Sequence, residues 1–333
     1  MPIGRAGAFV FSLDFELLWG VRDRHTVQSY GAQLLGARAV VPRLLALFAE
    51  RGVHATWATV GLLMCGTREE MHALCPALRP TYLDTKLSPY AELANVGPDE
   101  ASDPYHFARS LVECVVATPG QELATHTFSH YFCAEPGQTV EQFAADLAQA
   151  VAAARAVGVT LRSIVMPRNQ VQPAHVAACR AAGLVAYRGN LVHRYYQHGK
   201  LRTDRPLLRL ARLVDAYVPL SGHNGLAWPL AEGGVVNVPA SRFLRPYNPR
   251  AAFLERWRLG RITGDMTRAA QRGELYHLWT HPHNLGAHQE ESLAALGHAL
   301  DHYERLRDTY GMRSLTMAEV ADEVLACDGV NET

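Results

Sequence analysis

The chain has 333 residues, enough for two ordinary domains or one large α/β barrel. Its 32 Lys and Arg balance 32 Asp and Glu, and no basic stripe stands out, so the electrostatic footprint of a nucleic-acid binder is missing. Hydrophobic residues make up 48%, ample for a core without disulfide staples. The six cysteines (Cys65, Cys75, Cys114, Cys133, Cys179 and Cys327) form no C-x-x-C pair and read as reduced thiols of a cytoplasmic protein. Arg5 before an apolar run resembles a short signal peptide. No small-residue cleavage site follows, however, and Asp14 and Glu16 interrupt the run. No stretch of about 18 apolar residues occurs, so no membrane span is expected.

Short apolar strands alternate with longer amphipathic helices, the pattern of βα units around a parallel sheet. Strands are expected at 8–13, 54–60, 122–125, 161–167, 184–189, 234–240, 274–281 and 313–317. The first is apolar throughout, as a strand buried on both faces should be. Helices are expected at 33–52, 106–118, 139–158 and 175–183, with Gly52 ending the first and Thr139 capping the third. "LRTDRPLLRLARL" (201–213) reads as an amphipathic helix. Two loop-rich insertions, at about 65–105 and 190–233, interrupt the alternation. Without a long polar linker, the chain reads as one irregular α/β barrel of seven or eight (β/α) units, spanning residues 1–333.

Reactive residues recur just after the strands: Asp14 and Glu16 after the first, His126 after the third, Arg168 after the fourth and His281 after the penultimate. In (β/α) barrels these positions converge on one face, where active sites lie. In "SLDFE", alternation puts Asp14 and Glu16 on one face if the strand persists to residue 16. The plainer alternative for Asp14 is a helix cap or a structural ion pair. "HTFSH" brings His126 and His130 to one side if it turns helically. Two imidazoles and a carboxylate leave a zinc site one open position, although a His pair alone is often incidental. Arg168 in "MPRNQ" is a permanent cation suited to a carboxylate, or a surface salt bridge. In "HLWTHPHN", Pro282 breaks the strand at His281, which becomes the best-placed general acid. His277, deeper in the strand, reads as a hydrogen-bonded core histidine. Trp19, Trp57 and Trp279 could stack on a sugar or fill the core.

The ordered set "SLDFE", "HTFSH", "MPRNQ" and "HLWTH" resembles the motifs of the polysaccharide deacetylase, or NodB-homology, family (carbohydrate esterase family 4). "FSLDFELLWGVRD", "HATWATVG", "THTFSHY" and "PRNQ" look like a bacterial subgroup associated with surface-polysaccharide and O-antigen biosynthesis. The resemblance implies a divalent metal, usually zinc, and removal of an acetyl group from a sugar. Carried over by position, Asp14 would be the base, His126 and His130 metal ligands, Arg168 the residue orienting the base, and His281 the acid. The family usually has a second aspartate after the first, where this chain has Phe15, and Glu16 would replace it as a ligand. Trp19, Asn169, His283 and His223 are the candidate substrate contacts.

The expected substrate is an acetamido sugar that is nucleotide-, lipid- or oligosaccharide-linked, an intracellular precursor in the absence of an export signal. Two rivals stand beside this reading. One is a metal-independent amidohydrolase acting on another small amide. The other is a catalytically silent carbohydrate-binding protein.

Overall fold

A computed structural model describes residues 5–191, 193, 196 and 206–331. Strand β1 (Ala8–Phe15) leads through the short α1 (Leu17–Val21) to the long α2 (Val27–Arg51). Next come β2 (Ala55–Thr59), α3 (Arg68–Ala73), α4 (Arg109–Ala117), β3 (Gln121–Thr125) and α5 (Val140–Ala156). They are followed by β4 (Ser163–Ile164), α6 (Pro173–Ala181), β5 (Ala186–Tyr187), α7 (Pro206–Asp215), β6 (Ala231–Glu232), β7 (Val235–Asn237) and β8 (Arg242–Phe243). The chain continues with α8 (Glu255–Arg272), β9 (Leu275–Thr280), α9 (Pro282–Gly286), α10 (Gln289–Tyr310), β10 (Arg313–Leu315) and α11 (Met317–Asn331).

Among the described residues the strands form one sheet in the order β6-β7-β5-β4-β3-β2-β1-β9-β8, with β10 also pairing β1. Every pairing is parallel except the β6–β7 hairpin. The expected barrel is therefore an open, curled sheet of parallel strands, with β8 and β6 at its two ends. All eight expected strands contain an observed one. The extra two, β6 and β8, are two residues long, too short to leave an apolar run. β6 exists because Gly233 and Gly234 both adopt positive φ (61° and 83°), as a two-residue hairpin turn of this hand requires.

α2 begins six residues earlier than its apolar pattern, because Thr26 and Ser29 form a reciprocal capping box. It is the one helix among the described residues long and apolar enough to cross a membrane by length and composition. In this fold its Leu34, Val40, Val41, Leu44 and Phe48 are buried against the sheet and its neighbours. The first insertion holds α3 and two 3₁₀ turns, and it is anchored by buried Met71, Leu87 and Leu93. The second contains α7 and β6. Its residues 192, 194–195 and 197–205, including the first part of the amphipathic stretch, lie outside the described residues.

Side-chain alternation along β1 sets up the site. Phe9, Phe11, Leu13 and Phe15 point outward, where Phe11 meets Phe48 of α2 and Phe9 meets Tyr303 of α10. Ala8 and Val10 point inward, under Met317, Val320 and Val324 of α11. Fully burying each of these large apolar side chains contributes roughly 1.5–3 kcal/mol. Ser12 and Asp14 continue the inward row beyond α11, so the face that opens toward the C-terminal strand ends is polar.

Candidate active site

Asp14 lies at the end of β1, only 3% exposed. Arg188, one residue past β5, grips it with two parallel bonds: Nη1 donates to Oδ1 and Nη2 to Oδ2, both at 2.7 Å. The same guanidinium donates to Ser12 Oγ (2.9 Å) and Asn169 Oδ1 (2.9 Å), and it lies 4.2 Å from the Trp279 ring centre. Burial would raise the Asp14 carboxyl. The Arg188 charge, then those of His126 and His281, hold it below the usual carboxylate range instead.

This corrects the role expected of Arg168. Its guanidinium pairs with Asp23 and Glu135 and covers the Phe132 ring at 4.0 Å, while Asp14 belongs to Arg188. Arg168 and Asn169 both have positive φ (56° and 55°), and this turn aims Asn169, not Arg168, at the Asp14–Arg188 pair. Arg188 was missed, although it obeys the strand-end regularity that singled out the others.

Glu16 lies beyond the strand rather than within it. β1 ends at Phe15, and Leu17 turns with φ of 44°. The Glu16 carboxylate nonetheless faces the same cavity. Its Oε2 is 3.0 Å from His130 Nε2 and 3.3 Å from His126 Nε2. Gly20 makes room for this: a Cβ there would stand 2.0 Å from the Glu16 carboxyl carbon. Burial opposes ionisation of Glu16, but the charge of His281 and the close contacts with His126 and His130 hold it well below the ordinary value.

The His126–His130 segment does not turn helically, so the condition set on the sequence spacing is not met. Thr127 (φ 65°) and His130 (φ 60°) are left-handed, and the loop is tied down by Asp146 of α5, which accepts from the Phe128 and Ser129 amides. That path brings the two rings to 5.1 Å between centres. Burial pushes His130 down to about 4, against the pull of Glu16, so its ring is neutral at pH 7.

Among the described residues, two groups of three could hold a cation: Glu16, His126 and His130, or Glu16, His281 and His283. Hydrogen bonding separates them. His126 Nδ1 lies 2.7 Å from the Val165 carbonyl and must donate to it, leaving the Nε2 lone pair toward Glu16. His281 Nδ1 lies 3.1 Å from the Asn284 amide nitrogen, and with that amide as donor the ring proton is on Nε2, which lies 3.7 Å from Asp14 and 3.6 Å from Glu16. A protonated nitrogen cannot ligate. The donor set that fits a divalent ion is therefore Glu16, His126 and His130, with His281 as a proton carrier across from them.

His283 is buried and lines the cavity, its ring stacked on His281 at 4.8 Å, and burial depresses it to about 3. Two other expected contacts fail. Trp19 is fully buried, donating from Nε1 to the His106 carbonyl at 2.9 Å, so it supports the first insertion rather than a substrate. His223 pairs with Asp265 and lines a separate depression with Gly222 and Gly264. His277 is a core histidine as expected, hydrogen-bonded to Ser12 and Val238. The cavity over Asp14, Glu16, His126, His130 and His281 measures about 200 Å³.

No protein-family model and no curated protein sequence matches this chain. Solved structures do. A protein described as a polysaccharide deacetylase from Mycobacterium smegmatis superimposes with a TM-score of 0.63 at 14% identity, over 98% of this chain and 93% of that one. The fold is that of the polysaccharide deacetylases. A second such protein, from Pseudomonas aeruginosa PAO1, gives a TM-score of 0.55 at 11% identity over 95% and 89% of the two chains. The deacetylase fold is also shared by a 4-alpha-glucanotransferase from Thermococcus litoralis (TM-score 0.54, 13% identity, 96% of this chain but 40% of that one). The fold thus leaves two chemistries open, and the side chains decide between them.

Proposed function

We propose that the protein is a divalent-metal-dependent hydrolase that removes the acetyl group from an acetamido sugar. The observation that carries this reading is the Glu16–His126–His130 donor set beside an Arg-held Asp14, with the His281 proton facing both carboxylates. A divalent ion bound there, zinc by its nitrogen-rich donors, would supply Lewis acidity toward the acetyl oxygen. Asp14, kept ionised by Arg188, takes a proton from the water that adds to the acetyl carbon. His281 gives its Nε2 proton to the nitrogen as the carbon–nitrogen bond breaks, releasing acetate and a free amine. An amide leaving group needs that proton, so N-deacetylation suits the site better than ester cleavage.

A glycosidase-type reading, raised by the shared glucanotransferase fold, needs one carboxyl held protonated as an acid. Here both carboxyls are held ionised, Asp14 by Arg188 and Glu16 by histidines. A silent binding protein has no need of a matched base, acid and donor set. The six free cysteines fit a cytoplasmic, precursor-level substrate of surface-polysaccharide assembly, as the motif resemblance implies.

The test is acetate release from a panel of acetamido sugars, with and without added zinc. Zinc-stimulated release supports the proposal. Zinc-independent release points to the metal-free amidohydrolase, and sugar binding without release points to the silent binder.

A further inference from the structure

Beyond Trp279 lies a second cavity of about 130 Å³ that shares Arg168, Asn169 and Trp279 with the site cavity. Four arginines contribute to its wall: Arg168, Arg212, Arg242 and Arg245. Their counter-charges are unevenly distributed. Arg168 is matched by Asp23 and Glu135. Arg242, with its neighbour Arg261, is matched by Asp215 and Asp265. Arg258, which donates to the Arg245 carbonyl, is matched by Glu255. Arg245 has no carboxylate partner among the described residues, and the one side-chain bond it makes there runs from Nη2 to the Arg212 carbonyl at 2.9 Å. Burial lowers its pKa; Tyr196 and Tyr217 oppose that effect in part, and the charges of Arg212 and Arg258 add to it. A half-buried guanidinium crowded by other cations is an unfavourable arrangement, relieved when an anion enters.

We infer that this cavity binds a phosphoryl group attached to the acetamido sugar, with Arg245 and Arg212 as its cationic wall. The inference rests on the deacetylase reading for the sugar but not for the anion. Paired guanidinium forks match phosphate oxygens in geometry as well as in charge. Because the two cavities adjoin at Arg168, Asn169 and Trp279, the inference places the acetamido group under His281 in one and the phosphoryl group beside the arginines in the other. The substrate class is then a glycosyl phosphate, carried either by a nucleotide or by a polyprenyl lipid.

Calorimetric titration with inorganic phosphate tests the anion site directly. Wild type should bind it, more weakly as salt is raised, and Arg245→Gln and Arg212→Gln should each weaken binding by about tenfold or more. Exchange of the exposed Arg307 for Gln controls for net charge and should change nothing. Competition by uridine diphosphate or by farnesyl phosphate assigns the source. In kinetics, kcat/KM for N-acetylglucosamine 1-phosphate relative to N-acetylglucosamine should exceed one, and this ratio should collapse in Arg245→Gln. Absence of phosphate binding, equal binding in the folded Arg245→Gln protein, or equally strong binding of glucuronate overturns the inference. Phosphate binding with no acetate release from any sugar would leave the anion site standing and defeat the deacetylase reading.

Discussion

Replacing Arg188 isolates the group that keeps the base ionised. Its two bonds to Asp14 are charge-assisted and bidentate, and Asp14 is buried, so water cannot take over when they are lost. Hydrogen bonds to charged groups contribute about 1.5–3 kcal/mol each, hence roughly 3–6 kcal/mol for the pair. At about 1.4 kcal/mol per pH unit, the acidic limb of kcat/KM should climb by roughly 2–4 units in Arg188→Met. Below the new limb, activity should fall by at least about a hundredfold, and most of it should return as pH rises.

Stability should show the matching sign. In wild type the depressed Asp14 pKa means that the pair stabilises the fold above the ordinary carboxylate range, and that contribution is lost as pH falls through the folded value. In the variant an unpaired buried carboxyl favours protonation, so the stability gap to wild type should widen from acid to neutral pH. Breaking a buried pair costs about 3–5 kcal/mol against a total of about 5–15, so thermal melts must accompany the kinetics. Arg188→Lys keeps the charge without the fork and should move the limb less. The reasoning is refuted if folded Arg188→Met loses activity evenly at every pH.

His281→Ala should lower turnover by about 100- to 10,000-fold on an acetamide. An activated acetate ester, whose leaving group needs no proton, should be largely spared, and the comparison is made by steady-state kinetics. Asp14→Asn should reduce acetate release to a similar extent while leaving the melting temperature near or above wild type at acid pH. Gly20→Ala should displace the Glu16 carboxylate and weaken zinc binding, read by competition with a colorimetric chelator. Gly36 of α2 touches Gly286 of α9 so closely that a Cβ would stand 2.3 Å from its carbonyl oxygen. Gly36→Ala should therefore shift the His281-bearing turn and lower kcat with little change in zinc affinity.

The strand-end rule carried the sequence reading furthest. Asp14, His126 and His281 fall where strands are expected to converge, and the structure gathers them around one cavity. It placed Arg168 on the wall of that cavity too, but the role the motif resemblance implied for it, orienting Asp14, falls to Arg188, because "MPRNQ" contains two left-handed residues in succession and such a turn sends successive side chains in directions that no strand periodicity encodes. The Arg188 partner lay inside "LVAYRG", hidden because the expected strand ran through it to residue 189, whereas the observed β5 stops at Tyr187 and leaves Arg188 at the strand end. His126 and His130 meet through a clamped loop rather than a helical turn, so the spacing was informative for the wrong geometric reason. Trp19 could not be assigned from sequence, since a tryptophan on the short helix that follows a strand can face either the cavity or the segment that packs over it. The open edge between β8 and β6 was equally hidden, because the ladder bonds that would close a barrel depend on contacts between distant segments.

Elemental analysis of the purified protein bears most directly on the central claim. One equivalent of a divalent ion should accompany the wild-type chain, disappear in His126→Ala and Glu16→Gln variants whose melts remain cooperative, and be required for acetate release. A folded protein that releases acetate at full rate after exhaustive chelation, with no ion bound, would contradict it.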